Sequence, residues 1–431
     1  MGYPQEQHAT LREISHQAIT LVDGPNFSGR TDYMRAAIDA DNGKSNGPSI
    51  YIGPEVYNSV SGLTTSVIDE LRLHATENIA GTSVGELAAQ LGLLDLSERN
   101  PFSLSGGEQA ALVMASTLAL NPRCIAIDCA LEQMDRVLKS LLFAWLSNPE
   151  NTDTMKLLFA DNRMIESRDS IIGPRISLQR KSVNEPQRQA NILPIEPLLP
   201  TLGDDFNLAP WKDSEPCEVN VDALSFSYGK GIPALNNISA TFKPGGIYLL
   251  NGRNGAGKST LAKVLSGVLK PNTGEIRSNE IPVQPWKTPG RLFSYHFQNP
   301  DLQLFSTTVF EELQSGLAWR PLAASKQEER VMQIAKMFGL TGLMNEHPLD
   351  LPFVLRKRVA LAATLVMGTP WMILDEPTLG QDDQSAATIA ALIKEMAAHG
   401  TGVIIISHST WFADFFDATP MSLLHGKLTI E

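Results

Sequence analysis

The chain is short of what a disulfide scaffold, a membrane-spanning protein or a nucleic-acid binder needs. Cysteine occurs three times in 431 residues, as Cys124, Cys129 and Cys217, with no Cys-x-x-Cys pair. That pattern excludes a disulfide framework and fits a reducing compartment. No run approaches the roughly 20 apolar residues that a bilayer crossing takes. The opening MGYPQEQHATLREI has no basic patch followed by an apolar run, and no Ser or Thr as its sixth residue. Neither a secretory leader nor N-terminal acylation is expected, so a membrane role depends on another chain. Basic charge is scarce too: 35 Lys and Arg face 47 Asp and Glu, a net charge of −12. A phosphate-backbone footprint needs clustered cations, so no nucleic-acid partner is expected. What is present is 43% apolar residues, enough for sizeable cores, in a length that suggests roughly two or three domains.

The second half is the easier to read. GGIYLLNG (245–252), WMILDEP (371–377) and GVIIISHS (402–409) are short apolar runs that predict buried strands, with helical periodicity between them. Strands alternating with helices predict an α/β domain with a mostly parallel sheet. The first strand runs into GRNGAGKST, a strict G-x-x-x-x-G-K-[ST] loop. Its glycines let backbone N–H groups face phosphates, and the following helix N-terminus favours anions. Gly252, Asn254, Gly255, Ala256, Gly257, Lys258, Ser259 and Thr260 are the expected ATP-binding set. Lys258 reaches the β- and γ-phosphates, and the Ser259 hydroxyl is an Mg²⁺ ligand. Asp375 and Glu376 end a buried strand. Asp375 is the expected Mg²⁺ partner and Glu376 the group that orients or deprotonates the attacking water.

The first half repeats this plan. AITLVDGPNFSGRT (18–31) parallels GIYLLNGRNGAGKST, CIAIDCALEQMD (124–135) parallels MILDEPTLGQDD, and KLLFADN (156–162) parallels IIISHS. Leu104 to Asp128 and Leu351 to Asp375 both span 24 residues; Asp128 to Asp161 and Asp375 to His408 both span 33. Two matching intervals in register indicate a tandem duplication of a domain of roughly 200 residues. The expected division is a first domain at 1–181, a proline-rich extended linker at 182–216 and a second domain at 217–431.

These motifs resemble those of the ATP-binding cassette ATPases. The fold implied is two tandem phosphate-loop NTPase domains packed head to tail. Further roles follow from the resemblance. Tyr228 stands where the family has an aromatic that stacks on adenine. Gln298 resembles the Q-loop glutamine, which contacts Mg²⁺ and the attacking water. His408 resembles the switch histidine that holds the γ-phosphate. LSGGEQ (104–109) resembles the family signature, whose Ser105, Gly106 and Gly107 meet the γ-phosphate held by the opposite domain. A narrower resemblance, carried by FQNPDLQLFSTTVFEEL (297–313) and EPTLGQDD (376–383), is to energy-coupling factor transporter ATPases. Those take up vitamins or transition-metal ions with a transmembrane scaffold and a membrane substrate-binding subunit. This resemblance implies a cytoplasmic chain held at the inner face of the membrane by its partners. Leu304, Phe305, Val309 and Phe310 are then candidate contacts to the scaffold.

Each half has lost something different. In the first, Arg30 replaces the loop lysine, Cys129 stands at the place of Glu376, Asp161 at that of His408 and Pro54 at that of Gln298. Arginine's planar fork is not interchangeable with a compact ammonium. Thr31 and Asp128 remain possible Mg²⁺ ligands, so nucleotide binding stays open while hydrolysis is not expected. In the second half the signature has become LPFVLR (351–356). Pro352 lacks a backbone donor, and Phe353 and Val354 put bulk in place of glycines. One composite site, the second-half loop with the first-half signature, is therefore complete, and the other is defective on both sides. Two other readings stand beside a transporter ATPase: a soluble tandem cassette protein acting on ribosomes, and a nucleotide-gated regulatory protein. The proline-rich linker and acidic chain argue against the first, and Glu376 against the second.

Overall fold

In the computed structural model the apolar runs become the inner strands of two parallel sheets. The structure describes residues 19–23, 30–42, 47–75, 83–146, 148, 155–160, 175–177, 215–229, 233–318, 320, 322–407 and 415–430. The chain divides into two units, Met1–Pro186 and Gln187–Glu431. Most of the expected linker, 182–214, lies outside the described residues, as does His408.

The first unit runs β1 (Ile19–Asp23), α1 (Arg30–Asp41), β2 (Ser49–Ile52), α2 (Val67–His74), α3 (Val84–Gln90), α4 (Gly106–Ala119), β3 (Cys124–Asp128), α5 (Arg136–Leu146), β4 (Lys156–Ala160) and β5 (Arg175–Ser177). Its five strands are all parallel, in the order β2-β3-β4-β1-β5. All five residues of β3 are buried, as expected of a parallel strand covered by helices on both faces.

The second unit runs β6 (Val219–Phe226), β7 (Leu235–Phe242), β8 (Ile247–Asn251), α6 (Lys258–Leu265), β9 (Thr273–Ser278), β10 (Ile281–Val283), β11 (Phe293–His296), α7 (Val309–Ser315), α8 (Ala324–Met337), α9 (Phe353–Val366), β12 (Trp371–Asp375), α10 (Asp383–Ala398), β13 (Gly402–Ile406), β14 (Thr419–Leu424) and β15 (Lys427–Ile430). Its main sheet is ordered β11-β12-β13-β8-β14-β15. Only the last pairing is antiparallel. The five parallel strands repeat the order of the first unit's sheet, element for element, so the duplication inferred from spacing is also one of topology. A second sheet, β10-β9-β6-β7, is antiparallel. Among the described residues the first unit has no such sheet. There α1 is followed closely by β2, where the second unit inserts β9 and β10 between α6 and β11.

The centre of the second core is Trp371, fully buried on β12 with Phe242, Tyr248 and Phe293 around it. Its indole N–H donates to the Cys217 carbonyl at 2.8 Å, tying the start of the unit to the sheet. The neighbouring strand makes room for the ring with a glycine: a Cβ on Gly402 would lie 2.3 Å from Trp371 ring atoms. Gly402→Ala should therefore lower the unit's stability by about 1–3 kcal/mol, the usual range for overpacking a tight core. An unchanged urea midpoint would contradict this packing.

Candidate functional site

The phosphate loop of the second unit is shaped by glycines that nothing larger could replace. Gly252 has φ 152° and a Cβ there would sit 2.5 Å from the Leu423 carbonyl; Gly257 has φ 105° and a Cβ would sit 2.6 Å from the Ala234 carbonyl. The loop ends at the N-terminus of α6, whose first residue is Lys258. The ammonium of Lys258 lies inside the turn, donating to the carbonyls of Gly252 (2.7 Å) and Arg253 (3.2 Å). The Asn254 amide nitrogen is shielded from solvent and finds no acceptor. A buried unmet donor beside an ammonium and a helix N-terminus fits an anionic phosphate oxygen.

At the facing strand end, Asp375 and Glu376 are 2% and 3% exposed, so both carboxylates are desolvated. Ser259 Oγ donates to Asp375 Oδ2 at 2.8 Å, and Tyr295 Oη donates to the same oxygen at 3.2 Å. Burial pushes the Asp375 carboxyl above its ordinary value; the Ser259 bond pulls it back and the neighbouring charge of Glu376 adds to the rise. Tyr295 is held well above its ordinary value by burial and by Asp375. Glu376 turns out of the strand with φ 46°, a left-handed backbone uncommon for a residue with a side chain. Its N–H donates to the Ile406 carbonyl at 2.8 Å, and Ser407 Oγ donates to its Oε2 at 2.9 Å. An oxygen pair of this kind, Ser259 with Asp375, suits a hard cation such as Mg²⁺.

The remaining expected residues are placed as follows. Tyr228 follows β6 and is 68% exposed; its hydroxyl lies 3.2 Å from Thr260 Oγ1 and its ring meets Phe226 edge to face. Gln298 is half-buried, and among the described residues its side chain makes no hydrogen bond. Its backbone carbonyl accepts from Lys357 Nζ at 3.1 Å.

The first unit keeps the same framework with other chemistry. Cys129 has the left-handed φ of Glu376, 57°, and its N–H donates to the Ala160 carbonyl at 2.8 Å. Thr31 and Tyr51 hydroxyls donate to Asp128 Oδ2, as Ser259 and Tyr295 do to Asp375. Arg30 departs from the pattern of Lys258. It forms an ion pair with Asp128 at 3.2 Å and donates to Cys129 Sγ at 2.9 Å. Gly24–Gly29 and Asp161 lie outside the described residues. Pro54 has no carboxamide to offer; its carbonyl accepts from Gln133 Nε2 at 3.1 Å.

The two signature positions also differ. Ser105 caps α4 with a reciprocal box: its N–H and hydroxyl donate to Glu108 Oε2 at 2.8 and 2.7 Å, and the Glu108 N–H donates back to the hydroxyl. Gly106 and Gly107 form the first turn. At α9 Pro352 makes no cap bond. Phe353 does not project as bulk, as its position in LPFVLR suggested. It is buried, with its ring where a Cβ on Gly380 would lie 2.9 Å away. Pro352 and the half-buried Val354 are the altered surface.

The segment after Gln298 needs a second correction. Leu304 and Val309 are core residues, 5% and 0% exposed, so they are not partner contacts; Phe305 and Leu302 stand out at 76% and 69%. Helical and irregular backbone alternate here, which sequence periodicity does not resolve. Three further groups carry no sequence signal of their own: Tyr295, Ser407 and the run Arg356, Lys357, Arg358. All three basic side chains are buried. Lys357 Nζ lies 2.9 Å from His296 Nε2, and burial, reinforced by that ammonium, holds His296 well below its ordinary value, so the ring is neutral and accepts.

Residues 235–379 match the ABC transporter family. The chain is 37% identical over 212 residues to the energy-coupling factor transporter ATP-binding protein EcfA of Methanothermobacter thermautotrophicus, covering 48% of this chain and 68% of that protein. It is 32% identical over 200 residues to EcfA1, of the same description, from Thermotoga maritima, covering 46% and 76%. A relative from Clostridium tetani is 26% identical over 384 residues, 82% of this chain and 87% of its own length. The chain belongs to the ATP-binding proteins of the ABC transporters, and its second unit holds the ATPase domain of that family. Among the described residues no helix is long and apolar enough to cross a membrane.

Because the folded-state value of Asp375 lies above its unfolded value, this carboxyl lowers stability as pH rises through the carboxylate range. The penalty is complete once pH exceeds the raised value. Asp375→Asn should thus raise the unfolding midpoint of the nucleotide-free protein at neutral pH and leave it nearly unchanged below the carboxylate range. A lowered midpoint at neutral pH would contradict the desolvation argument.

Proposed function

We propose that the chain is the fused, asymmetric energising subunit of an energy-coupling-factor-like importer, hydrolysing one ATP at one composite site. The observation that carries this reading is the pairing of each strand-end residue. Glu376 is held by Ser407 beside Asp375 and Ser259, a set suited to Mg²⁺ and an attacking water. Cys129, in the same backbone position, is bonded to Arg30 and supplies no base. In this reading Lys258, Ser259, Asp375 and Gln298 hold ATP·Mg²⁺, Tyr228 stacks on the base and Glu376 acts on water. His408 completes the site by resemblance. Ser105, Gly106 and Gly107 close on the γ-phosphate when the two units pair head to tail. Magnesium, when bound, neutralises the charge on the transferring phosphoryl group.

Relatives described as energy-coupling factor transporter ATP-binding proteins support a transporter role; from the motif resemblance, the partners would be a membrane scaffold and a membrane substrate-binding subunit, with a vitamin or metal ion as cargo. Phe305 and Leu302 are the exposed apolar groups next to Gln298 that such a scaffold would cover.

Glu376→Gln and Lys258→Ala should each lower ATP turnover by at least ~10²-fold, the scale for removing a positioned base or charge donor. Ser105→Arg should abolish turnover while leaving ATP binding at the second unit; Val354→Ser should change little. Full turnover in Ser105→Arg would remove the composite site. Phe305→Glu should release the membrane partner and spare the ATPase of the isolated chain, whereas Leu304→Glu, in the core, should destabilise the unit. Full transport by Phe305→Glu would contradict the coupling assignment.

A further inference from the structure

The strand-end carboxylates of the two units sit in matched frames, yet their charge is answered differently. In the second unit Asp375 receives Ser259 and Tyr295, Glu376 is its neighbour, and the Lys258 ammonium is directed at loop carbonyls. Asp375 and Glu376 are both buried here, and the ammoniums of Lys357 and Lys258 both act on Asp375; in the proposed function a divalent cation would join this set. In the first unit Asp128 receives Thr31 and Tyr51 on Oδ2, while Oδ1 faces Arg30 Nε at 3.2 Å. The second carboxylate is absent, since Cys129 replaces it, and its sulfur accepts from the same guanidinium at 2.9 Å. Arg30 and Asp128 are 9% and 2% exposed.

We propose that Arg30 is a built-in counter-cation that takes the place of Mg²⁺ at Asp128, so the first unit's site takes no divalent cation. Three facts of chemistry support this. Guanidinium remains charged throughout the physiological range. A carboxylate offers about four lone-pair positions over its two oxygens; here Oδ2 accepts two hydroxyls and Oδ1 lies 3.2 Å from the guanidinium charge. Mg²⁺ demands near-octahedral oxygen ligation and gives up its waters reluctantly; next to a fixed guanidinium, with a thiol instead of a carboxylate, the residues present do not fit it. Lys258, at the same point of the second unit, donates to the carbonyls of Gly252 and Arg253. The guanidinium thus bridges the Asp128 carboxylate and the Cys129 sulfur. The contrast with the second unit rests on the reading above, but the claim about Asp128 does not.

The test is titration of the full chain with Mn²⁺ at saturating ATP, read by electron paramagnetic resonance. The expected result is one tightly held Mn²⁺ per chain, lost in Asp375→Asn and kept in Asp128→Asn. Two Mn²⁺ per chain, or a single one kept in Asp375→Asn and lost in Asp128→Asn, would overturn the proposal. If Asp128→Asn fails to fold, the wild-type count decides alone: two Mn²⁺ per chain overturns it. A wild-type count of zero leaves Asp128 without a cation, as inferred, and instead removes the reading of the second unit as a magnesium site.

Discussion

A carboxylate buried at the end of a parallel strand has to be met by donors or by a cation, because an unpaired charge in a low-dielectric interior costs several kcal/mol. Much of what distinguishes the two units follows from how this demand is met at Asp375 and Asp128. In the second unit two hydroxyls reach Asp375, and burial with the charge of Glu376 pushes its carboxyl upward even though the ammoniums of Lys357 and Lys258 oppose the rise. In the proposed function that residual demand is what a cation beside the triphosphate would meet. In the first unit a guanidinium completes the set.

The two strand ends share a backbone and differ in chemistry. Glu376 and Cys129 share a left-handed φ and the same N–H bond across to the neighbouring strand. Left-handed backbone at a residue with a side chain is normally retained where the surroundings over-determine it. Here the parallel sheet supplies that determination in both units, so Cys129 is presented in the same backbone frame as Glu376. The tyrosine on the preceding sheet strand, Tyr295 or Tyr51, persists in the same way. The two strand ends therefore differ in side chains and not in backbone.

Much of this was legible in the sequence. The strict phosphate loop, the two acids after WMILD and the equal intervals between motifs imply the parallel sheets, their common order and the location of the second-unit site. Tyr295 was not legible, because a tyrosine in an apolar strand reads as core, and its bond to Asp375 spans 80 positions. Ser407 stands next to a motif and says nothing until β13 is laid beside β12. The buried run Arg356 to Arg358 reads as a solvated helix face; only the fold shows each cation turned inward onto backbone carbonyls and side-chain acceptors. The segment around Phe305 misled because core and surface alternate there without a helical or strand period. Leu304 and Phe305 are adjacent in sequence and opposite in burial.

The central claim is that hydrolysis belongs to one site, built from the second unit's phosphate loop and the first unit's signature. The most direct measurement is vanadate trapping with a photoreactive ATP analogue, followed by mapping of the labelled peptides. The account predicts one trapped nucleotide per chain, with label on peptides around Tyr228 and 252–259 and none trapped when Ser105 is replaced by arginine. Label shared equally with peptides around residues 24–31, or trapping undiminished by the Ser105 replacement, would contradict it.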